Sequence, residues 1–225
     1  MNLNPKTGRI MGFLFLTQFV LGVLINFFLL GPVIFDENFL TITSFHSTLV
    51  ITAALLAVLL SCISLWIAIA LKPFFNAYNY SLALWYLGFT IIGFVITLVD
   101  NTIILSILSV SNDFIKPDVS NTKYLASLGD LLLQMRGWIH MMDMLIGGLS
   151  IATLYYGFCQ TKLIPSVLSI LGCIATLVML GNVLWSIYDT GLMVLYLPVG
   201  LIQIVISIWL IIRGFNTTKL VSSDT

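Results

Sequence analysis

Five long stretches of this chain, Ile10 to Phe35, Asn38 to Leu71, Pro73 to Val99, Leu163 to Tyr188 and Thr190 to Ile212, contain no Asp, Glu, Lys or Arg. Nothing else in the sequence constrains its fold as tightly. A helix needs about 20 mostly apolar residues to cross a hydrocarbon core of roughly 30 Å, and each stretch is long enough. A sixth crossing is expected before Leu163, where Asp130, Arg136 and Asp143 interrupt an otherwise apolar segment. The six spans are placed at about 10–31, 44–71, 80–110, 129–158, 164–187 and 192–213. A transmembrane barrel fits poorly, because its strands alternate apolar and polar residues, whereas Thr48 to Leu60 is apolar on every side.

Composition agrees. Only 8% of the 225 residues are charged and 60% are hydrophobic, against an average of about 25% charged in soluble domains. The expectation is an all-α, polytopic integral membrane bundle of six transmembrane helices, forming one domain over 1–225. Nine basic residues balance nine acidic ones, which leaves no basic face for nucleic acid. Three cysteines are too few, and odd in number, for a secreted disulfide scaffold. Cys62 and Cys173 fall mid-span and Cys159 at the end of the fourth span, so no structural disulfide is expected.

Loop charges set the orientation. With the N-terminus inside, Lys6, Arg9, Lys72, Lys162, Arg213 and Lys219 are cytoplasmic, whereas only Lys116 and Lys123 are external. Both termini are therefore expected in the cytoplasm. Lys6 and Arg9 before an apolar run resemble a signal peptide, but the run is too long for an h-region and no small-x-small site follows. The first span is read as retained. The one long connection, Ser111 to Gly129, is polar and external, a candidate lid.

Charged groups inside a membrane are costly and mark functional or paired sites. Arg136, His140 and Asp143 are spaced i, i+4, i+7, within about 60° of one helical azimuth. The third span offers Thr97, Asp100 and Asn101, the second His46, the first Asn26 and the fifth Asn182. Counted by depth, these residues converge on the outer half of the bundle, with His140 and Asp143 nearing the midplane. The expected site is a polar pocket of Asp100, Arg136, His140, Asp143 and Asn101, with Asn182 beside them and His46 and Asn26 at the mouth. The plainer reading makes Asp100 and Arg136 a buried ion pair, with His140 and Asp143 a second, interhelical links only.

His46, His140 and Asp100 form a weak candidate set for a metal such as catalytic zinc, on ligand count alone. A bis-histidine haem is disfavoured because His46 lies nearer the surface than His140. Met135, Met141, Met142 and Met144 cluster beside His140 and could hold Cu(I), but methionine commonly fills irregular membrane cores. No G-x-S-x-G and no G-x-x-x-x-G-K occurs, so nucleophile-elbow and phosphate-loop chemistry have no support. No cofactor is expected.

Three motifs occur in a fixed order: Gly8-Arg9-Ile10-Met11-Gly12-Phe13-Leu14-Phe15-Leu16; Leu154-Tyr155-Tyr156-Gly157-Phe158 followed by Lys162-Leu163-Ile164-Pro165; and Trp209-Leu210-Ile211-Ile212-Arg213-Gly214-Phe215. Together they resemble a bacterial six-helix membrane family, the domain of unknown function 4386, from about Thr7 to Phe215. The resemblance implies a bacterial inner-membrane protein with six helices and brings no activity. A histidine in the fourth helix is similar to the family pattern, and here it would be His140.

The functional expectation is an uncharacterised inner-membrane protein that binds or passes a small solute through an outward-facing pocket. An intramembrane metal-dependent hydrolase acting on a lipid, and a structural or regulatory partner protein, are the alternatives. The expected partners are the lipid bilayer and a small-molecule ligand, with protein partners unspecified.

Overall fold

A computed structural model describes residues 5–116 and 122–216. Lys219, counted for orientation, and residues 117–121 of the expected loop lie outside the described residues. The described secondary structure is all helical: α1 (Pro5–Val23), α2 (Gly31–Ile34), α3 (Phe39–Phe45), α4 (Ser47–Tyr78), α5 (Tyr80–Phe114), α6 (Thr122–Thr161), α7 (Ser166–Trp185) and α8 (Leu197–Arg213). A π-helical segment, Leu24–Leu30, joins α1 to α2, and a 3₁₀ turn, Met193–Tyr196, leads into α8. Six helical stretches are long and apolar enough to cross a membrane: Lys6–Ile34, Ser47–Tyr78, Tyr80–Phe114, Thr122–Thr161, Ser166–Trp185 and Met193–Arg213. The chain is a multi-pass membrane protein, and these helices meet the bilayer.

Three features depart from the sequence reading. The polar stretch from Ser111 to Gly129 is largely helix, because α5 continues to Phe114 and α6 begins at Thr122. Charge-free length measures the thickness of hydrocarbon, not of helix, and a helix can continue into polar sequence beyond the hydrocarbon. The second span is split at His46. Its backbone N–H and its ring Nδ1 both lie 3.0 Å from the Ile42 carbonyl, a side-chain competition that disfavours helix continuation. The first span widens at Leu24, where the Gly31 N–H reaches back five residues to the Asn26 carbonyl. A Cβ on Gly31 would sit 2.8 Å from that oxygen, and Pro32 beyond it has no N–H to offer.

The chain divides into two compact units. The first comprises the described residues of Met1–Phe19, Ile63–Ile92 and Met144–Thr225. Its core is aromatic: Phe158 meets Phe15 and Phe75 edge-on at centroid distances of 6.3 and 6.0 Å, and Phe75 meets Tyr86 at 5.6 Å. Glycines let these rings and helices approach. A Cβ on Gly157 would lie 2.5 Å from the Phe75 ring, and one on Gly12 2.7 Å from the Ser207 carbonyl. Polar side chains tie the same helices: Gln18 to Ser64 at 2.6 Å, Thr90 to Ser150 at 3.0 Å, and Gln203 to the Phe15 carbonyl at 3.1 Å. Between α6 and α7, Lys162 takes a left-handed φ of 54° that stops the helix.

The second unit comprises Val20–Cys62 and Gly93–Asp143. One apolar cluster joins Ile25, Leu30, Val33 and Ile34 to Val50, Ala53, Ile104 and Leu108. Another packs Phe39 and Leu40 of α3 on Ile103 and Ile107 of α5. Ser44 donates to Asn112 at 2.8 Å. These contacts hold the C-terminal part of α5 against α3 and α4, and so fix where Asp100 and Asn101 stand.

Candidate functional site

Many hydroxyls among the described residues meet their hydrogen-bonding needs within their own helix. Thr17, Thr52, Thr102, Ser106, Thr153, Thr176 and Ser207, among others, donate to the carbonyl four residues back, the usual solution where no water is present. Departures from that habit mark the places to examine. Buried side-chain atoms without a hydrogen-bond partner, among the described residues, include Thr43 Oγ1, Asp100 Oδ1, Asn101 Oδ1, Ser111 Oγ and Arg136 Nε. All belong to the second unit.

Two of them pair across α5 and α6, and a third lies on the next residue along α5. Arg136 Nε stands 3.7 Å from Asp100 Oδ1, with the two side chains only 9% and 13% exposed. That separation is an ion pair but too long for a hydrogen bond. Asn101, one residue on, donates to the Thr97 carbonyl at 2.8 Å and leaves its own buried oxygen unmet. His140, one turn along α6, lies within electrostatic range of both Arg136 and Asp100. Asp143 is near enough to Asp100 to interact with it, and accepts a long 3.5 Å contact from Thr97 Oγ1. α5 and α6 thus set Asp100 against Arg136, with His140 and Asp143 within electrostatic reach and Asn101 next to Asp100 along the chain.

The other three expected members are exposed or have partners of their own. Asn26 is exposed, and its amide donates to the Gly22 carbonyl of its own helix at 3.0 Å. His46 is exposed at the break between α3 and α4. Asn182 belongs to the first unit and is engaged with the loop before α8: its Nδ2 donates to the Leu192 carbonyl at 3.1 Å, and the Leu192 N–H donates to its Oδ1 at 2.9 Å. The proposed metal set of His46, His140 and Asp100 is likewise not assembled. Among the described residues no three of His, Cys, Asp and Glu gather closely enough to share an ion.

Sequence reading missed Thr43 and Ser111. Their type carries no signal, because Ser and Thr are ordinary in membrane helices; only the unmet hydroxyl distinguishes them. A groove of about 400 Å³ in the first unit, lined by Trp85, Phe89, Ala152 and Tyr156 with Asn79 and Ser81, shares no residue with the expected site.

The comparisons with known proteins address the chain as a whole. The model of the family described as Domain of unknown function (DUF4386) matches residues 10–214. The chain belongs to this family. For this DUF4386 member the match reaches all six candidate spans among the described residues, and the family description assigns no chemistry to any of them. No curated protein and no solved structure matches significantly. What a DUF4386 bundle does must be argued from its own polar residues.

Proposed function

We propose that this protein sits in a bacterial inner membrane with both termini in the cytoplasm, and that its second unit binds or passes a small polar solute reaching it from outside. The observation that carries the reading is the Arg136–Asp100 pair. A buried guanidinium and carboxylate held 3.7 Å apart, each with an unmet polar atom, pair too loosely to offset the cost of taking both from water. A third unmet atom, Asn101 Oδ1, lies on the residue beside Asp100. A water-filled, solute-binding site supplies what this arrangement lacks, because water or a polar ligand would complete each valence. His140 and Asp143 extend the lining along α6 towards mid-membrane. The lipid-hydrolase alternative loses its metal set, and no observation favours a purely structural partner role.

The test is accessibility. His140→Cys and Asn101→Cys, each in a chain whose native cysteines are serine, are exposed in intact cells to a charged, membrane-impermeant methanethiosulfonate. The expected result is rapid modification from the outside, at least tenfold faster than at Leu105→Cys, an exposed leucine of α5. Modification only after detergent solubilisation overturns the pocket. Thermal melts of Asp100→Ala, Arg136→Ala and the double variant add a second criterion. If the double variant regains wild-type stability and its cysteine probes are unreactive, the pair is an interhelical link and nothing more.

A further inference from the structure

The three cysteines are free thiols, yet two of them are neighbours. Cys159 Sγ, two residues before the end of α6, lies 4.0 Å from Cys173 Sγ in α7. Both belong to the first unit and both are half-buried. Their approach is built into the packing. A Cβ on Gly172 would stand 2.7 Å from the Tyr155 ring, so α6 and α7 touch through a glycine. Tyr155 is one turn before Cys159, and Gly172 immediately precedes Cys173. The same close contact that seats the ring therefore brings the two sulfurs together. Lys162, whose left-handed backbone turns the chain, and Pro165, which starts α7, complete a short connection between the helices.

We propose that Cys159 and Cys173 are a reversible dithiol–disulfide pair, oxidised by a small uncharged peroxide. A disulfide has a sulfur–sulfur distance of about 2.05 Å, so each sulfur must move by only about 1 Å, within reach of side-chain rotation. Cys159, near the helix end and three residues from exposed Lys162, is the first to react. Its sulfur, as thiolate, attacks one peroxide oxygen; the O–O bond breaks, and water leaves after taking a proton, giving a sulfenic acid. The Cys173 sulfur then attacks the Cys159 sulfur and expels the hydroxyl group as a second water. In sum two thiols lose two hydrogens, and one hydrogen peroxide becomes two waters. A dithiol reductant returns both thiols by exchange. Such transient bonds suit a reducing compartment, where permanent disulfides are rare. Cys62 is exposed and far along the chain in the other unit, and so serves as an internal control.

The experiment uses the wild-type chain in membrane vesicles. After treatment with hydrogen peroxide and acid quenching, the protein is denatured and labelled with a polyethylene-glycol maleimide. The untreated chain takes three labels, one per cysteine. The expected result is a species with a single label, restored to three by dithiothreitol, with a peptide map joining Cys159 to Cys173. In Cys62→Ser the oxidised monomer takes none. Retention of all labels overturns the proposal, as does a loss of labels with added oxygen that dithiothreitol does not reverse. Disulfide-linked dimers through Cys62, with Cys159 and Cys173 still labelled, also overturn it.

Discussion

Asn182 and His46 show how differently two polar residues of a membrane helix can be used. Asn182 is 4% exposed and bonds both backbone groups of Leu192, ten residues away. Losing a typical intramolecular hydrogen bond costs about 0.5–1.5 kcal/mol, and this side chain makes two. Asn182→Ala is therefore expected to lower the melting temperature in detergent by several degrees and to open the α7–α8 connection to protease. His46→Ala is expected to leave the melt within about 0.5 kcal/mol of wild type, since it removes an exposed ring bonded to its own helix. A His46→Ala cost matching that of Asn182→Ala would show that the ring has a partner beyond Ile42. The contrast also explains what could be read from the sequence at this scale. Asp100, Arg136, His140 and Asp143 were legible because a charge in a span must face protein, and spacing then gives the face. The Asn182 bonds to Leu192 were not legible, because a partner in a loop is one that no helical period can indicate. The widened turn from Leu24, which alters the angle per residue around Asn26, was not legible either.

At the scale of elements, glycine decides which helices approach closely. Gly12 faces the Ser207 carbonyl and the Ile211 amide, backbone atoms that cannot swing aside. Gly12→Ala is expected to destabilise the protein by about 1–3 kcal/mol, read as a lower melting temperature, whereas Gly147→Ala, with nothing within 4 Å, is expected to be neutral or slightly stabilising. Equal effects of the two would refute the close contact between α1 and α8. Helix existence was legible because twenty apolar residues leave a chain few choices. Helix ends were not. The extension of α5 and α6 into polar sequence, and the break at His46, arise outside the hydrophobic constraint and depend on local hydrogen bonding.

For the whole molecule, the balance of loop lysines and arginines makes a directional prediction. With native cysteines replaced by serine, Lys116→Cys is expected to react with an impermeant maleimide in intact cells, and Lys162→Cys only after permeabilisation. The reverse pattern would invert the orientation and move the proposed solute site to the cytoplasmic side. Membership of the DUF4386 family leaves that choice open, since a family match records common descent and not direction of insertion. The contact between α1 and α8 has a consequence in time as well as in space. The Phe15 carbonyl receives its bond from Gln203, a residue 188 positions later in the chain. A ribosome builds α4, α5, α6 and α7 before it supplies that partner. Throughout that interval the glycine-lined face of α1 lies open in the bilayer. The growing chain must therefore keep one seam unsealed until α8 inserts and closes it.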